Sequence, residues 1–150
     1  MTGQKPVRRF QDFRWEATDL LAYRQDDGVP FKDVTRQLLF QAPDLLGELR
    51  YFEVAPDGHS SLERHDHRHA VVILRGRGRC LVGEQVFDVG PLDLVDIPPL
   101  VWHQFRATEG ESLGFLCLVN VERDKAQLPD ESDLAKLSTH PGVGDFLRAK

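Results

Sequence analysis

Between Val34 and Val121 the chain is cut into short apolar runs by turn-forming residues, and no run is long enough to make a helix of ordinary length. The runs are Val34–Gln41, Glu48–Val54, Ala70–Leu74, Arg79–Val82, Gln85–Val89, Leu92–Ile97, Trp102–Ala107 and Ser112–Val121. Between them stand Ala42-Pro43-Asp44, Pro56-Asp57-Gly58, Gly76, Gly83, Gly90-Pro91, Pro98-Pro99 and Glu109-Gly110. Gly and Pro provide the backbone angles that tight turns need. Runs at this spacing predict an all-β sandwich or small barrel, and nothing follows a βαβ alternation. No internal repeat or low-complexity tract appears, and 150 residues are enough for one domain.

The two ends read differently. Val7 to Gln25 mixes Phe10, Phe13, Trp15, Leu20, Leu21 and Tyr23 with charges and shows no sustained period. This stretch is expected to be an arm packed on the domain, with a short helical turn, broken by Asp26-Asp27-Gly28-Val29-Pro30. In the tail, Asp130-Glu131-Ser132-Asp133 offers a helix N-cap and first-turn acidic charge. Leu134, Leu137, Val143, Phe146 and Leu147 fall at helical spacing, and His140-Pro141-Gly142 interrupts them, so two short helices are expected. The expected division is arm and first strand over residues 1–47, barrel over 48–121 and helical tail over 122–150.

Charge narrows the function classes. Acidic residues outnumber basic ones, 24 to 19, for a net charge of −5. That argues against a nucleic-acid or anionic-membrane surface, which needs clustered positive charge. The longest stretch without a charged residue, Ser112 to Val121, is ten residues, against about 20 for a membrane span. Arg8 and Arg9 are not followed by an apolar run, and Cys80 and Cys117 are too few for a disulfide framework. A cytoplasmic location is the expectation.

Of the six histidines, four (His59, His65, His67, His69) fall within eleven residues. Glu63, His65, His67 and His69 occupy alternate positions, which in an extended strand share one face. Imidazole with carboxylate suits Zn²⁺, Fe²⁺, Mn²⁺, Ni²⁺ or Cu²⁺. His103, just after the Pro98-Pro99 turn, is the distant ligand that would close such a site. The plainer reading is a polar, solvent-facing loop of idle histidines. Four candidate ligands on one parity, followed by Gly76 and a proline-bracketed histidine, weigh against it.

These residues resemble the two motifs of the cupins. The first motif reads His-x-His-x(3,4)-Glu-x6-Gly, and Glu63-x-His65-x3-His69-x6-Gly76 follows it with Glu63 and His69 exchanged for the usual types. The second reads Gly-x5-Pro-x-Gly-x2-His. It appears as Leu92-x5-Pro98-x-Leu100-x2-His103, with leucine at both glycine positions. The resemblance implies a cupin β-barrel, a double-stranded β-helix or jelly roll, with the arm and short helices as additions. It also implies a divalent metal on Glu63, His65, His69 and His103. A rival register pairs His65 with His67 and leaves Glu63 outside. Three imidazoles and one carboxylate favour Mn²⁺ or Fe²⁺, with Ni²⁺ or Zn²⁺ as alternatives. His67 would then stand at the mouth. His59 and His140 receive no part.

Cys117 lies in an apolar run, where a thiol is most often an inert small hydrophobe. Phe115, Cys117 and Val119 share one parity. If that parity faces the barrel interior, the thiol reaches the metal; both parities are apolar, so alternation alone does not choose. Cys80 reads as structural. Arg64, Arg68, Arg75, Arg77 and Arg106 surround the motifs; solvated strand faces explain such charges in most proteins, and a phosphorylated substrate would need one or two of them. Trp102 and Phe105 either wall the pocket or fill the core.

Within the cupins, Arg50-Tyr51-Phe52-Glu53-Val54, Ser61-Leu62-Glu63-Arg64-His65, Trp102-His103-Gln104-Phe105-Arg106 and Gly114-Phe115-Leu116-Cys117 are similar to a group of short bacterial methylsulfurylases. That resemblance implies manganese-dependent removal of the methylthio group from 1-methylthio-xylulose 5-phosphate. The group would pass to a thiol such as glutathione, with Cys117 as nucleophile and His67 as proton donor. It also implies a homodimer acting on a small sugar phosphate. The alternatives on the same ligands are a cupin dioxygenase, a sugar-phosphate isomerase and a non-catalytic binding cupin.

Overall fold

The computed structural model describes residues 5–22 and 32–148. The break expected at Asp26 to Pro30 lies outside the described residues. The strands are β1 (Phe10–Gln11), β2 (Arg14–Trp15), β3 (Leu21–Ala22), β4 (Lys32–Phe40), β5 (Gly47–His59), β6 (His69–Arg75), β7 (Gly78–Val82), β8 (Gln85–Val89), β9 (Leu94–Ile97), β10 (His103–Ala107) and β11 (Leu113–Asn120). Two helices follow, α1 (Glu131–Ser138) and α2 (Val143–Arg148). The strand pairings are antiparallel and run β8-β7-β10-β5-β11-β6-β9, with β4 on the other side of part of β5 and β3 beside β4. This curled sheet is the all-β barrel that the punctuated runs predict. Among the described residues no helix is long and apolar enough to cross a membrane.

One expected turn is instead part of a strand. Pro56-Asp57-Gly58 lies inside β5. There the β4–β5 register jumps from Val34↔Val54 to Lys32↔His59, and Asp57 adopts a φ of 64°. Pro56 has no N–H to give to a ladder, so the chain bulges here rather than reversing. The bulge bends β5. Its first part pairs with β4 and β11, and its last residue, His59, pairs with Arg106 of β10.

Alternation sorts the side chains. On β11, Phe115, Cys117 and Val119 point inward and are at most 5% exposed, whereas Leu118 is 54% exposed. They join Val34, Phe52, Val54, Val71, Ile73 and Phe105 in the barrel core. On β5 the inward residues Arg50, Phe52 and Val54 alternate with Tyr51 and Glu53 on the other face. The arm covers that face: Phe13 stacks on Tyr51 at 6.0 Å and Trp15 tilts over it at 5.2 Å. Buried Gln37 ties the arm down, donating to the Phe13 carbonyl at 2.8 Å and accepting from Thr18 Oγ1 at 3.1 Å. The arm's local structure is the β1–β2 hairpin, not the helical turn expected from its sequence. Asp12 and Phe13 close its turn with φ of 49° and 58°, and Gln37 holds the Phe13 carbonyl.

The tail forms the two short helices. Asp130 caps α1 by accepting from the Asp133 N–H at 2.8 Å, and Asp133 returns the bond to the Asp130 N–H at 3.0 Å. Leu137, Val143 and Phe146 pack with Leu81 and Trp102 into a second apolar cluster outside the barrel. Two glycines are fixed by close approach. At Gly114 a Cβ would lie 1.8 Å from the Tyr51 hydroxyl, and at Gly76, φ 78°, one would lie 1.8 Å from the Ser112 carbonyl oxygen. Leu92 and Leu100, at the glycine positions of the second motif, keep left-handed backbone with φ of 71° and 60°. Both are exposed, so their side chains need no room inside.

Candidate metal centre

The inner faces of β4, β5, β6, β10 and β11 surround a cavity of about 670 Å³. The ligand segment enters it as a loop and not as the straight strand that alternation suggests; β6 starts only at His69. Alternate side chains on a straight strand stand about 6.6 Å apart, and a bend brings them closer. Two contacts make the bend. The Glu63 and His103 backbones exchange hydrogen bonds of 3.2 and 3.0 Å. The Asp124 carboxylate accepts from the N–H groups of Asp66 at 2.8 Å and His67 at 3.1 Å.

The result is three converging imidazoles. Ligand atoms of His65, His69 and His103 all lie within 4.8 Å of one another. His65 Nδ1 donates to the His67 carbonyl at 2.7 Å, and His103 Nδ1 donates to the Val101 carbonyl at 3.0 Å. A carbonyl only accepts, so both rings carry hydrogen on Nδ1 and present a lone pair on Nε2. His69 Nε2 is buried with no hydrogen-bond partner. Burial pushes the His69 pKa down to about 2 and the His103 pKa to about 4, and it lowers that of His65 as well. These are neutral rings holding unshared lone pairs away from water, a costly arrangement that a divalent cation satisfies. The donor set therefore fits a metal ion.

The fourth position has two neighbours. Glu63 is buried, with Oε1 4.0 Å from His103 Nε2 and Oε2 accepting from Ser61 Oγ at 2.8 Å. His67 stacks face to face on His65 at 3.7 Å, and its Nδ1 donates to Asp124 at 2.8 Å. His67 lines the cavity but is turned toward this carboxylate.

Cys117 faces the same cavity. Its Sγ is 3.2 Å from His69 Nδ1 and accepts from Arg50 Nη2 at 3.4 Å. The ladder explains the second contact, because Cys117 is directly opposite Arg50 on β5. Burial pushes the thiol pKa up, and the Arg50 guanidinium opposes that shift. Glu48, one inward position earlier, lies 3.8 Å from Arg50 Nε and accepts from Arg123 at 2.7 Å. Cys80 is buried in the core away from this group, and burial raises its pKa to about 12.

The arginines that sequence proximity singles out do not line the cavity. Arg64 bonds Gln127 and covers the Trp102 ring, Arg68 pairs with Asp96, Arg75 with Glu53, and Arg106 lies over Phe146. The cations that do line it are Arg36, Arg50, Arg123 and Lys125. Sequence reading missed them because they come from β4, β5 and the segment after β11, far from both motifs. The one signal available was Glu48-x-Arg50, charged residues at inward positions of an apolar strand. Phe105 both fills the core and lines the cavity, while Trp102 packs with the helices.

Residues 50–119 match the cupin domain family. Over 144 residues, 95% of this chain and 92% of the relative, the sequence is 58% identical to 1-methylthio-D-xylulose 5-phosphate methylsulfurylase of Rhodospirillum rubrum. The chain is a cupin. Its fold matches the crystal structure of a cupin 2 conserved barrel protein from Rhodopseudomonas palustris with a TM-score of 0.87. That match is 52% identical and covers 93% of this cupin and 97% of that chain. A cupin-2 domain from Rhodospirillum rubrum matches with a TM-score of 0.86 and 57% identity, over 97% of this cupin and 98% of that chain.

Proposed function

We propose that this cupin removes the methylthio group of 1-methylthio-xylulose 5-phosphate, giving 1-deoxyxylulose 5-phosphate and passing the group to a thiol such as glutathione. The printed activity of the 58% identical relative supports the reading. The observation that carries it is the position of Cys117, with its sulfur in the cavity against His69 and Arg50. Glu63, His65, His69 and His103 would hold the metal, Mn²⁺ being the assignment we make on the mixed nitrogen and oxygen set. When bound, such an ion acts as a Lewis acid that polarises the substrate ketone and favours the charge developing beside it.

The protein's own groups account for the remaining steps. The Cys117 thiolate, held by the Arg50 guanidinium, attacks the methylthio sulfur. A sulfur–sulfur bond forms as the C1–S bond breaks, and the electron pair passes into the enolate of the neighbouring ketone. The methylthio sulfur is thereby oxidised to the disulfide level and C1 is reduced. In this reading His67 protonates C1, giving the methyl ketone. A thiol then attacks the Cys117 disulfide, leaves as its methyl disulfide and returns the Cys117 thiolate. A cytoplasmic homodimer is the setting we assign. The exposed outer residues Leu38, Phe40, Leu46 and Leu118 support self-association.

Cys117→Ala separates this reading from a dioxygenase or an isomerase built on the same ligands, neither of which needs the thiol. The expected result is no release of methylthio product, with metal content equal to wild type by elemental analysis. An alanine variant with full activity removes the thiol from the mechanism.

A further inference from the structure

We infer, building on the sugar-phosphate reading above, that Arg36, Arg123 and Lys125 form the seat of the substrate's phosphomonoester. All three line the cavity that holds the histidine group. The chain carries a net charge of −5, yet the cationic residues on the cavity wall are Arg36, Arg50, Arg123 and Lys125, against the carboxylates of Glu63 and Asp124. Four cations against two carboxylates on the cavity wall attract an anion there. Arg50 is committed to Cys117 and to the buried Glu48. Arg36, Arg123 and Lys125 line the same cavity and are placed in this reading at the far end of the substrate.

Their placement fits a ligand that reaches from the metal group to the mouth. Arg36 lines the cavity from β4, where it is opposite Phe52 of β5. Arg123 and Lys125 belong to the segment that follows β11 and lines the cavity. That segment is latched at two points. Asp124 accepts from the backbone of Asp66 and His67, and the Gln127 and Arg64 backbones exchange bonds of 2.8 and 3.1 Å. Arg123 is steadied by Glu48 at 2.7 Å through Nη1, which leaves the other edge of its planar fork for two phosphate oxygens. The latch keeps both cations over the cavity before substrate arrives, so less ordering is required on binding.

The test compares the metal-loaded protein with its Arg36→Met, Arg123→Met and Lys125→Met variants, using the phosphorylated methylthio ketose and the same ketose without phosphate. Each variant is expected to raise KM for the phosphorylated substrate roughly tenfold or more with little change in kcat, the pattern of lost ground-state binding. kcat/KM for the unphosphorylated ketose should not change. An unaltered KM overturns the seat, as does an increase confined to the KM for the thiol, which would place glutathione's carboxylates there instead. Inorganic phosphate added to the wild-type protein tests the same seat without turnover, by amide shifts in ¹H–¹⁵N spectra. Shifts at Arg123 and Lys125 are expected, and amides that stay still overturn the seat. A wild-type protein inert toward the methylthio ketose phosphate, but with those shifts present, overturns the reaction and leaves the anion seat standing.

Discussion

At the scale of single residues, the histidines divide by what their second nitrogen does. His65 and His103 spend Nδ1 on backbone carbonyls and so aim Nε2 inward, whereas His67 spends Nδ1 on Asp124. His65→Ala is expected to abolish stable metal binding, read as the metal-to-protein ratio after desalting; a ratio equal to wild type would exclude His65 as a ligand. Burial also sets a pH dependence. An unfolded histidine titrates near pH 6.5, while His103 in the fold is pushed down to about 4 and His69 to about 2. Below pH 6.5 the unfolded chain binds protons that the folded, metal-free protein refuses. Its stability is therefore full above about pH 6.5 and falls as the pH drops toward 4, by up to about 1.4 kcal/mol per pH unit for each histidine. The midpoint of urea unfolding of metal-free protein should be lower at pH 5 than at pH 7. An equal or higher midpoint at pH 5 would show that the rings are charged in the fold.

At the scale of elements, the second motif's glycine positions show why the motif survived two substitutions. Leu92 and Leu100 keep the left-handed turns but point outward, so only backbone strain is incurred. Gly76 differs. It is left-handed, and a Cβ would also meet the Ser112 carbonyl oxygen at 1.8 Å, where the β6–β7 turn presses on the residue before β11. Gly76→Ala therefore strains the turn and pushes two backbones apart. It should cost about 2 kcal/mol or more of stability, seen as a lower thermal midpoint. Leu100→Gly removes strain without removing packing and should shift stability by less than about 1 kcal/mol. Similar losses for both variants would contradict this assignment. The β5 bulge is the other decisive element. It carries one strand from β11 to β10, so the thiol of β11 and the histidine of β10 face one cavity.

At the scale of the molecule, the described residues form two apolar cores with separate duties. The barrel core surrounds the cavity, while Leu81, Leu137, Val143 and Phe146 hold the helical tail to the outside. Phe146 is fully buried, and its loss should cost about 3–5 kcal/mol. Because none of this cluster's four residues lines the cavity, folded Phe146→Ala should bind metal as wild type does. Metal loss in the folded variant would show that the tail supports the site directly.

Much of this was legible in the chain itself. Strand positions, two short helices, the Asp130 cap and the candidate ligands all follow from local rules: turn chemistry, alternation and spacing. The tertiary structure decided what depends on which distant strands meet. It turned the Cys117 parity inward, because β11 lies between β5 and β6 with the arm over the opposite face. It bent the ligand segment out of strand geometry through Asp124, a residue more than fifty positions away. It also moved the cavity's positive charge from the arginines near the motifs to Arg36, Arg50, Arg123 and Lys125. Sequence proximity governs which residues share an element, but only the closing of the barrel sets which charges share a cavity.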